Sequence, residues 1–167
     1  MTVALTSIRI STDFDSGNIQ VLDAHDSHQL LLAIKPDTRS QHYQWFHFKA
    51  EGMHVGHTHT FRLSNAGKSS YPHAWSGYNA VASYDHINWF RVPSRFDGEI
   101  LHISLEAREK HAWIAYFEPY SRERHDWLIE QAVSRAGTQL LATGKSVEGR
   151  DIQLLRRGKG GESRRKV

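Results

Sequence analysis

The 167 residues carry 39% hydrophobic and 23% charged side chains, the balance of a soluble globular chain and enough for one ordinary domain or a small domain plus part of another. The formal net charge of +3 is small and the basic residues gather late, between Arg150 and Lys166, so no clustered nucleic-acid-reading face is indicated and no nucleic-acid partner is expected. With no cysteine, disulfide frameworks, Cys-based zinc sites and thiol nucleophiles are excluded.

The opening MTVALTSIRIST lacks the basic and apolar regions of a signal peptide, and no later run approaches the length of a membrane span. A cytoplasmic chain without a membrane partner is the expectation. Short β-prone runs at 8–12 and 19–22 flank DFDSGN, where Asp15, Ser16, Gly17 and Asn18 supply turn chemistry and predict a first hairpin. A third run, 29–35, ends at Pro36 and Asp37. Residues 43–50 alternate so that Tyr43, Trp45 and His47 share one face and Gln44, Phe46 and Phe48 the other, which predicts a central strand.

Residues 56–63 place His57, His59, Phe61 and Leu63 on one face, and 65–79 form a long loop broken by Pro72 and Gly77. Further runs at 80–84, 88–92, 99–105 and 112–117 follow, at the roughly eight-to-twelve-residue spacing of an antiparallel β-sandwich. At Ser121 the period changes. Trp127, Leu128, Ala132, Val133 and Ala136 recur at helical spacing, Ser121 suits the N-cap, Glu123 the first turn and Gly137 the C-terminal end, predicting a helix over 121–136. Runs at 139–143 and 151–156 predict two more strands around GKSVEGR. The stretch Ile114–Arg124 is thus a junction between a β domain and the opening of an α/β domain.

Several residue groups invite chemistry. His57 and His59, on one face of a strand, resemble half of a cupin-type metal site, but the carboxylate such a site requires is missing from Thr60–Ser64, so loop packing is the better reading. Asp13 and Asp15, with Ser16 and Asn18, supply too few oxygen ligands for a calcium loop and fit a turn. Ser121 with His125, and Ser83 with Asp85 and His86, lack the nucleophile elbow of a hydrolase. Arg156, Arg157, Lys159, Arg164, Arg165 and Lys166 read as a solvated run rather than a phosphate site. Trp45, Phe46, Trp75, Tyr78, Trp89 and Phe90 could stack a sugar, yet a sandwich core requires such residues anyway. No catalytic, cofactor-binding or metal residue is assigned in this chain.

Five stretches taken together resemble the cytosolic carboxypeptidases, a branch of the zinc metallocarboxypeptidase (carboxypeptidase A-like) superfamily: DFDSGNI (13–19), WFHF (45–48), SYDHINWFRV (83–92), IAYFEPYS (114–121) and GKSVEGRDI (144–152). They stand in the family's order and cover nearly the whole chain. The resemblance implies an N-terminal antiparallel β-sandwich, residues 1–118, and over 119–167 the first helix and β-hairpin of an α/β zinc-carboxypeptidase domain, truncated before the zinc motif. It further implies removal of C-terminal residues from peptides or proteins, with zinc in the full-length family member. No His-x-x-Glu, the family's first zinc motif, occurs in this sequence, and by the resemblance it would fall about ten residues past Val167. The expected reading is therefore an inactive fragment or truncated product without its own cofactor, partnered by the remainder of the catalytic domain. The alternative is a stand-alone β-sandwich module that binds peptide or glycan.

Overall fold

The computed structural model describes residues 7–158, which divide into two compact units meeting in sequence at Pro119 and Tyr120. In the first unit the chain runs through β1 (Arg9–Ser11), β2 (Gln20–Asp23), β3 (Gln29–Ala33), β4 (His47–Glu51), β5 (Thr58–Leu63), β6 (Ala80–Ser83), β7 (Phe90–Val92), β8 (Ser94–Phe96), β9 (Leu101–Glu106) and β10 (His111–Ala115). One five-stranded sheet has the order β1-β4-β10-β6-β7 and a second has β2-β3-β5-β9-β8.

Strict alternation builds the core between these sheets. In β5, His59, Phe61 and Leu63 point inward; in β9, Leu101, Ile103 and Leu105 do the same. From the other sheet come Phe46, Phe48, Ala50, Ala80, Ala82, Ala112 and Ile114. Phe48 meets Phe61 across the gap at a ring separation of 5.3 Å. Each such Phe, Leu or Ile contributes about 1.5–3 kcal/mol by leaving water.

The sheets are antiparallel except at one place, since β3 and β5 pair in parallel, Gln29 opposite Thr60 through Leu32 opposite Leu63. A hairpin cannot join parallel neighbours, and here the chain between them crosses to the other sheet, contributes β4 and returns.

The hairpin expected around DFDSGN does not form. β1 pairs with β4 and β2 with β3, so this loop passes from one sheet to the other. Its conformation is set by backbone fit. Gly17 donates to the Phe14 carbonyl at 3.0 Å, and a Cβ there would lie 2.2 Å from the Thr12 carbonyl oxygen. Asn18 then bridges to His47, and its side-chain amide donates to the carbonyls of Lys35 (3.0 Å) and Trp45 (2.9 Å). The polar residues that suggested a hairpin turn instead clamp three segments together.

The long loop over 65–79 contains two short 3-10 turns, Ala66–Lys68 and Pro72–Trp75, and closes one end of the core. Trp75 is 1% exposed and its indole N–H donates to the Ala66 carbonyl (3.0 Å) and the Ser69 hydroxyl (2.8 Å). The edge strand β8 is three residues long, too short to carry a periodic signal in the sequence.

The second unit contains α1 (Arg122–Val133) and an antiparallel pair, β11 (Thr138–Lys145) and β12 (Asp151–Arg157). Ser121 caps the helix, its hydroxyl accepting from the Arg124 N–H at 3.3 Å. The helix ends three residues earlier than its sequence pattern, with Ser134 at the C-cap, while Gly137 (φ 80°) turns the chain into β11. The sheltered stripe is also not the expected one. Ile129 is buried, with His125 and Ala132 half-buried one turn to either side, whereas Trp127, Leu128, Val133 and Ala136 stay exposed. His125 pairs with the Gln153 side chain at 2.7 Å, which turns that face toward the hairpin. Among the described residues no helix is long and apolar enough to cross a membrane.

Candidate functional site

The outward face of the β1–β7 sheet carries a histidine that takes no part in the apolar core. His47 lies on β4 between Phe46 and Phe48, so alternation sends it away from the sandwich interior, yet it is 0% exposed. Phe14 (4.8 Å between ring centres), His86 (5.3 Å), Trp89 (5.8 Å) and Trp45 (6.1 Å) surround it. Its Nδ1 is 3.0 Å from the Ser16 hydroxyl, which itself donates to the Asp15 carbonyl, so Nδ1–H is the donor of the pair. Nε2 is left as an acceptor with no hydrogen-bond partner among the described residues. Burial, reinforced by His86 and opposed by Asp15, lowers its pKa from 6.5 to about 3, keeping the imidazole neutral.

Two of the neighbours hold strained backbone. Ser16 (φ 65°) and His86 (φ 64°) are the non-glycine residues with positive φ among those described, and both converge on His47. His86 is fixed by the loop before it. The Asp85 carboxylate accepts from the N–H groups of Asn88 (2.7 Å) and Ile87 (2.9 Å) and from the Ser83 hydroxyl (3.0 Å), which holds its pKa well below the usual carboxylate range. The His86 ring stacks on Trp113 at 5.0 Å and 15°. On the same face the Lys49 ammonium lies 4.8 Å over Trp113.

A second group gathers at the other sheet. His28, His54, His57 and His59 approach one another, with ring centres 5.7 Å apart for His28–His57 and His28–His59 and 5.9 Å for His54–His57. His57 does not share the strand face of His59, because it sits in the preceding turn and is exposed. His59 is buried with both nitrogens engaged, Nδ1 to the Ser27 carbonyl (2.6 Å) and Nε2 accepting from the His54 N–H (3.1 Å). No lone pair remains on it for a metal. Among the described residues no three His, Asp or Glu side chains are arranged as a metal ligand set.

The remaining sequence candidates are accounted for locally. Ser83 serves the Asp85 loop through its hydroxyl, which accepts from the His86 N–H at 2.8 Å, so it is not a nucleophile facing a histidine base. Ser121 caps α1 and His125 holds Gln153. Asp13 and Asp15 belong to the inter-sheet turn. The aromatic set does not make a platform: Phe46 and Trp75 are core, Tyr78 donates its hydroxyl to the Tyr116 carbonyl, and Trp45 and Trp89 are half-buried around His47, leaving Phe90 exposed. Arg156 donates to the Gln139 side chain, whereas Lys159, Arg164, Arg165 and Lys166 lie outside the described residues. His28, His54 and Trp113 drew no notice in the sequence, since nothing local marks residues that only tertiary pairing brings together.

Two facing, mainly antiparallel sheets with one apolar core between them make the first unit a β-sandwich module. Residues 10–117 match the family model described as the cytosolic carboxypeptidase N-terminal domain, and the chain belongs to that family, within the metallo-carboxypeptidases. A metallo-carboxypeptidase from Pseudomonas aeruginosa, solved in complex with (2-guanidinoethylmercapto)succinic acid, is 58% identical and superimposes with a TM-score of 0.88 over 93% of this chain and 41% of that one. An uncharacterized protein of Zymomonas mobilis is 34% identical over 94% of this chain and 41% of its own length. Cytosolic carboxypeptidase 1 of Xenopus laevis is 30% identical over 51% of this chain and 7% of its own. The chain thus spans less than half the length of these relatives.

Proposed function

We propose that residues 1–118 are the N-terminal domain, and 119–167 the opening of the α/β catalytic domain, of a zinc-dependent cytoplasmic carboxypeptidase that removes C-terminal residues from peptides or proteins. The observation that carries this reading is the Pseudomonas aeruginosa metallo-carboxypeptidase, which matches 93% of this chain with only 41% of its own length. A catalytic zinc needs three protein ligands and an open position for water or substrate. The described residues present no such set. The zinc, and the groups that work with it, then belong to the part of the relatives' length that this chain does not span. Leu140, Ile152 and Leu154, all exposed on the β11–β12 hairpin, are where the remainder of the catalytic domain would pack.

The test compares the 167-residue chain with the same chain extended past Val167 by the rest of the Pseudomonas aeruginosa enzyme, both given zinc and peptides with free C-termini. C-terminal amino acids are released by the extended protein and not by the chain alone. Release by the chain alone, or a folded, zinc-loaded extended protein that leaves every peptide intact, would overturn the reading.

A further inference from the structure

The outward face of the β2–β8 sheet brings together cations that the sequence keeps far apart. In β5, alternation turns His59, Phe61 and Leu63 into the core and leaves Thr60 and Arg62 outside it. The same alternation leaves His102 and Ser104 outside in β9 and Arg95 in β8. Register fixes which of them are neighbours. His102 stands opposite Arg62 on one side and Arg95 on the other, and Thr60 stands opposite Ser104 in the next outward row. With strands about 4.8 Å apart, the Cα atoms of the two arginines are about 10 Å apart. An arginine side chain is longer than half that gap, so both guanidinium groups can meet over His102.

The row is unfavourable by itself. Among the described residues neither Arg62 nor Arg95 has a hydrogen-bond or ion-pair partner, and the Arg62 Nε–H is shielded from solvent without an acceptor. Like charges on opposed strands repel, and a shielded N–H forfeits the hydrogen bond it made in water. The carboxylate that touches the row is already committed. Asp97, in the β8–β9 turn, accepts from the N–H groups of Ile100 (2.8 Å) and Glu99 (3.0 Å) and from the His102 Nε2 (2.8 Å), bonds that hold its pKa well below the usual carboxylate range. Asp23 is separated from Arg62 by Leu31 and accepts from the His25 N–H at 2.9 Å, while Glu106 stands at the far end of β9 opposite Thr58.

We infer that this face binds a phosphate group, held between the Arg62 and Arg95 guanidinium groups with the half-buried Thr60 and Ser104 hydroxyls as further donors. Two planar guanidinium forks and two hydroxyls offer more hydrogen bonds than the two oxygens of a carboxylate accept, whereas the three terminal oxygens of a phosphate monoester accommodate them. A phosphate charge close to two at neutral pH also balances two guanidinium cations, which relieves the repulsion along the row.

Titration of the isotopically labelled 167-residue chain with inorganic phosphate, and separately with phenyl phosphate, tests the site when amide resonances are followed at constant ionic strength. Saturable shifts centred on residues 60–63, 94–96 and 102–104 are the expected result. Affinity should fall at least about tenfold in Arg62→Gln and in Arg95→Gln and stay unchanged in Arg39→Gln, an exposed arginine of the 36–42 loop. Without phosphate, Arg62→Gln should melt no lower than the wild type, because it removes a repelled cation and an unpaired N–H; an arginine with only a structural role would melt lower when replaced. Tighter binding of phenyl phosphate supports the inference with an esterified phosphate as the source, and tighter binding of inorganic phosphate supports it with the free ion. No saturable shift, equal shifts with sodium acetate, affinity that both replacements leave intact, or an Arg62→Gln chain that melts below the wild type would overturn the inference.

Discussion

His47 makes the sandwich acid-sensitive from pH 6.5 downward. Its folded pKa is depressed from 6.5 to about 3, so as pH falls the unfolded chain takes up the proton first. Stability is therefore complete above pH 6.5 and is lost on the way down to about pH 3. The slope rises toward about 1.4 kcal/mol per pH unit, which integrates to about 2.3 kcal/mol between pH 6.5 and 4.5 because the unfolded histidine is only half protonated at the upper end. Asp85 and Asp97, both held well below their ordinary value of 3.8, and Glu51, held below 4.5, surrender their contributions only under pH 4.5. Urea denaturation followed by tryptophan fluorescence at pH 6.5 and 4.5, in the wild type and in His47→Gln, isolates the histidine, because Asp15 and His86 remain in both. The wild type should lose about 2–3 kcal/mol more than the variant over these two units. Proton resonances of the His47 ring should also stay flat across the interval. Equal losses in the two proteins, or a His47 resonance titrating near 6.5, would refute a buried neutral imidazole.

Replacing Trp75 by Phe removes the donor to the Ala66 carbonyl and the Ser69 hydroxyl, and should cost about 1–3 kcal/mol in the same urea assay. Gly17→Ala would place a methyl group 2.2 Å from the Thr12 carbonyl oxygen, so the inter-sheet turn must shift, at about 1–3 kcal/mol, whereas Gly56→Ala meets no atom within 4 Å and should cost only the left-handed backbone penalty of about 1–2 kcal/mol. Amide exchange should be weaker in β11 and β12 than in β5 or β9, because Ile129, still 9% exposed, is the one buried hydrophobic side chain among the described residues of the second unit while Leu140, Ile152 and Leu154 are exposed; equal protection would mean that the hairpin is a finished structure.

The sandwich was legible where the chain alternates. In β9 every second residue is apolar and buried, and in β5 the same period buries Phe61 and Leu63 along with His59, so burial follows directly from period. Connectivity was less legible. DFDSGN has the composition of a hairpin turn, but composition specifies a reversal and not the partner, and the Asn18 bridge to His47 together with the tight Thr12–Gly17 approach sends the chain across the sandwich. The parallel β3–β5 pair is hidden for the same reason, since pairing between strands separated by a crossover leaves no local trace. In α1 the period was right and the face wrong. Trp127 and Leu128 outweigh Ile129 in apolar surface, but the His125–Gln153 bond and the packing of Ile129 decide which stripe turns inward, leaving Trp127 60% exposed.

The histidines show the limit of reading chemistry from spacing. His57 and His59, two residues apart, look like ligands of one strand face, yet the chain bends before β5, so His57 is delivered to His28 and His54 while His59 is committed to Ser27 and the His54 backbone. His47, by contrast, had no neighbour in sequence to suggest a role. Its surroundings come from the 12–18 turn, the 83–89 loop and β10, and two of the residues meeting there, Ser16 and His86, hold left-handed backbone that a glycine would adopt without strain. The side chains at both positions meet the same imidazole. Ser16 accepts a hydrogen bond from the His47 Nδ1–H and His86 covers the same ring, so both left-handed positions converge on a single buried imidazole.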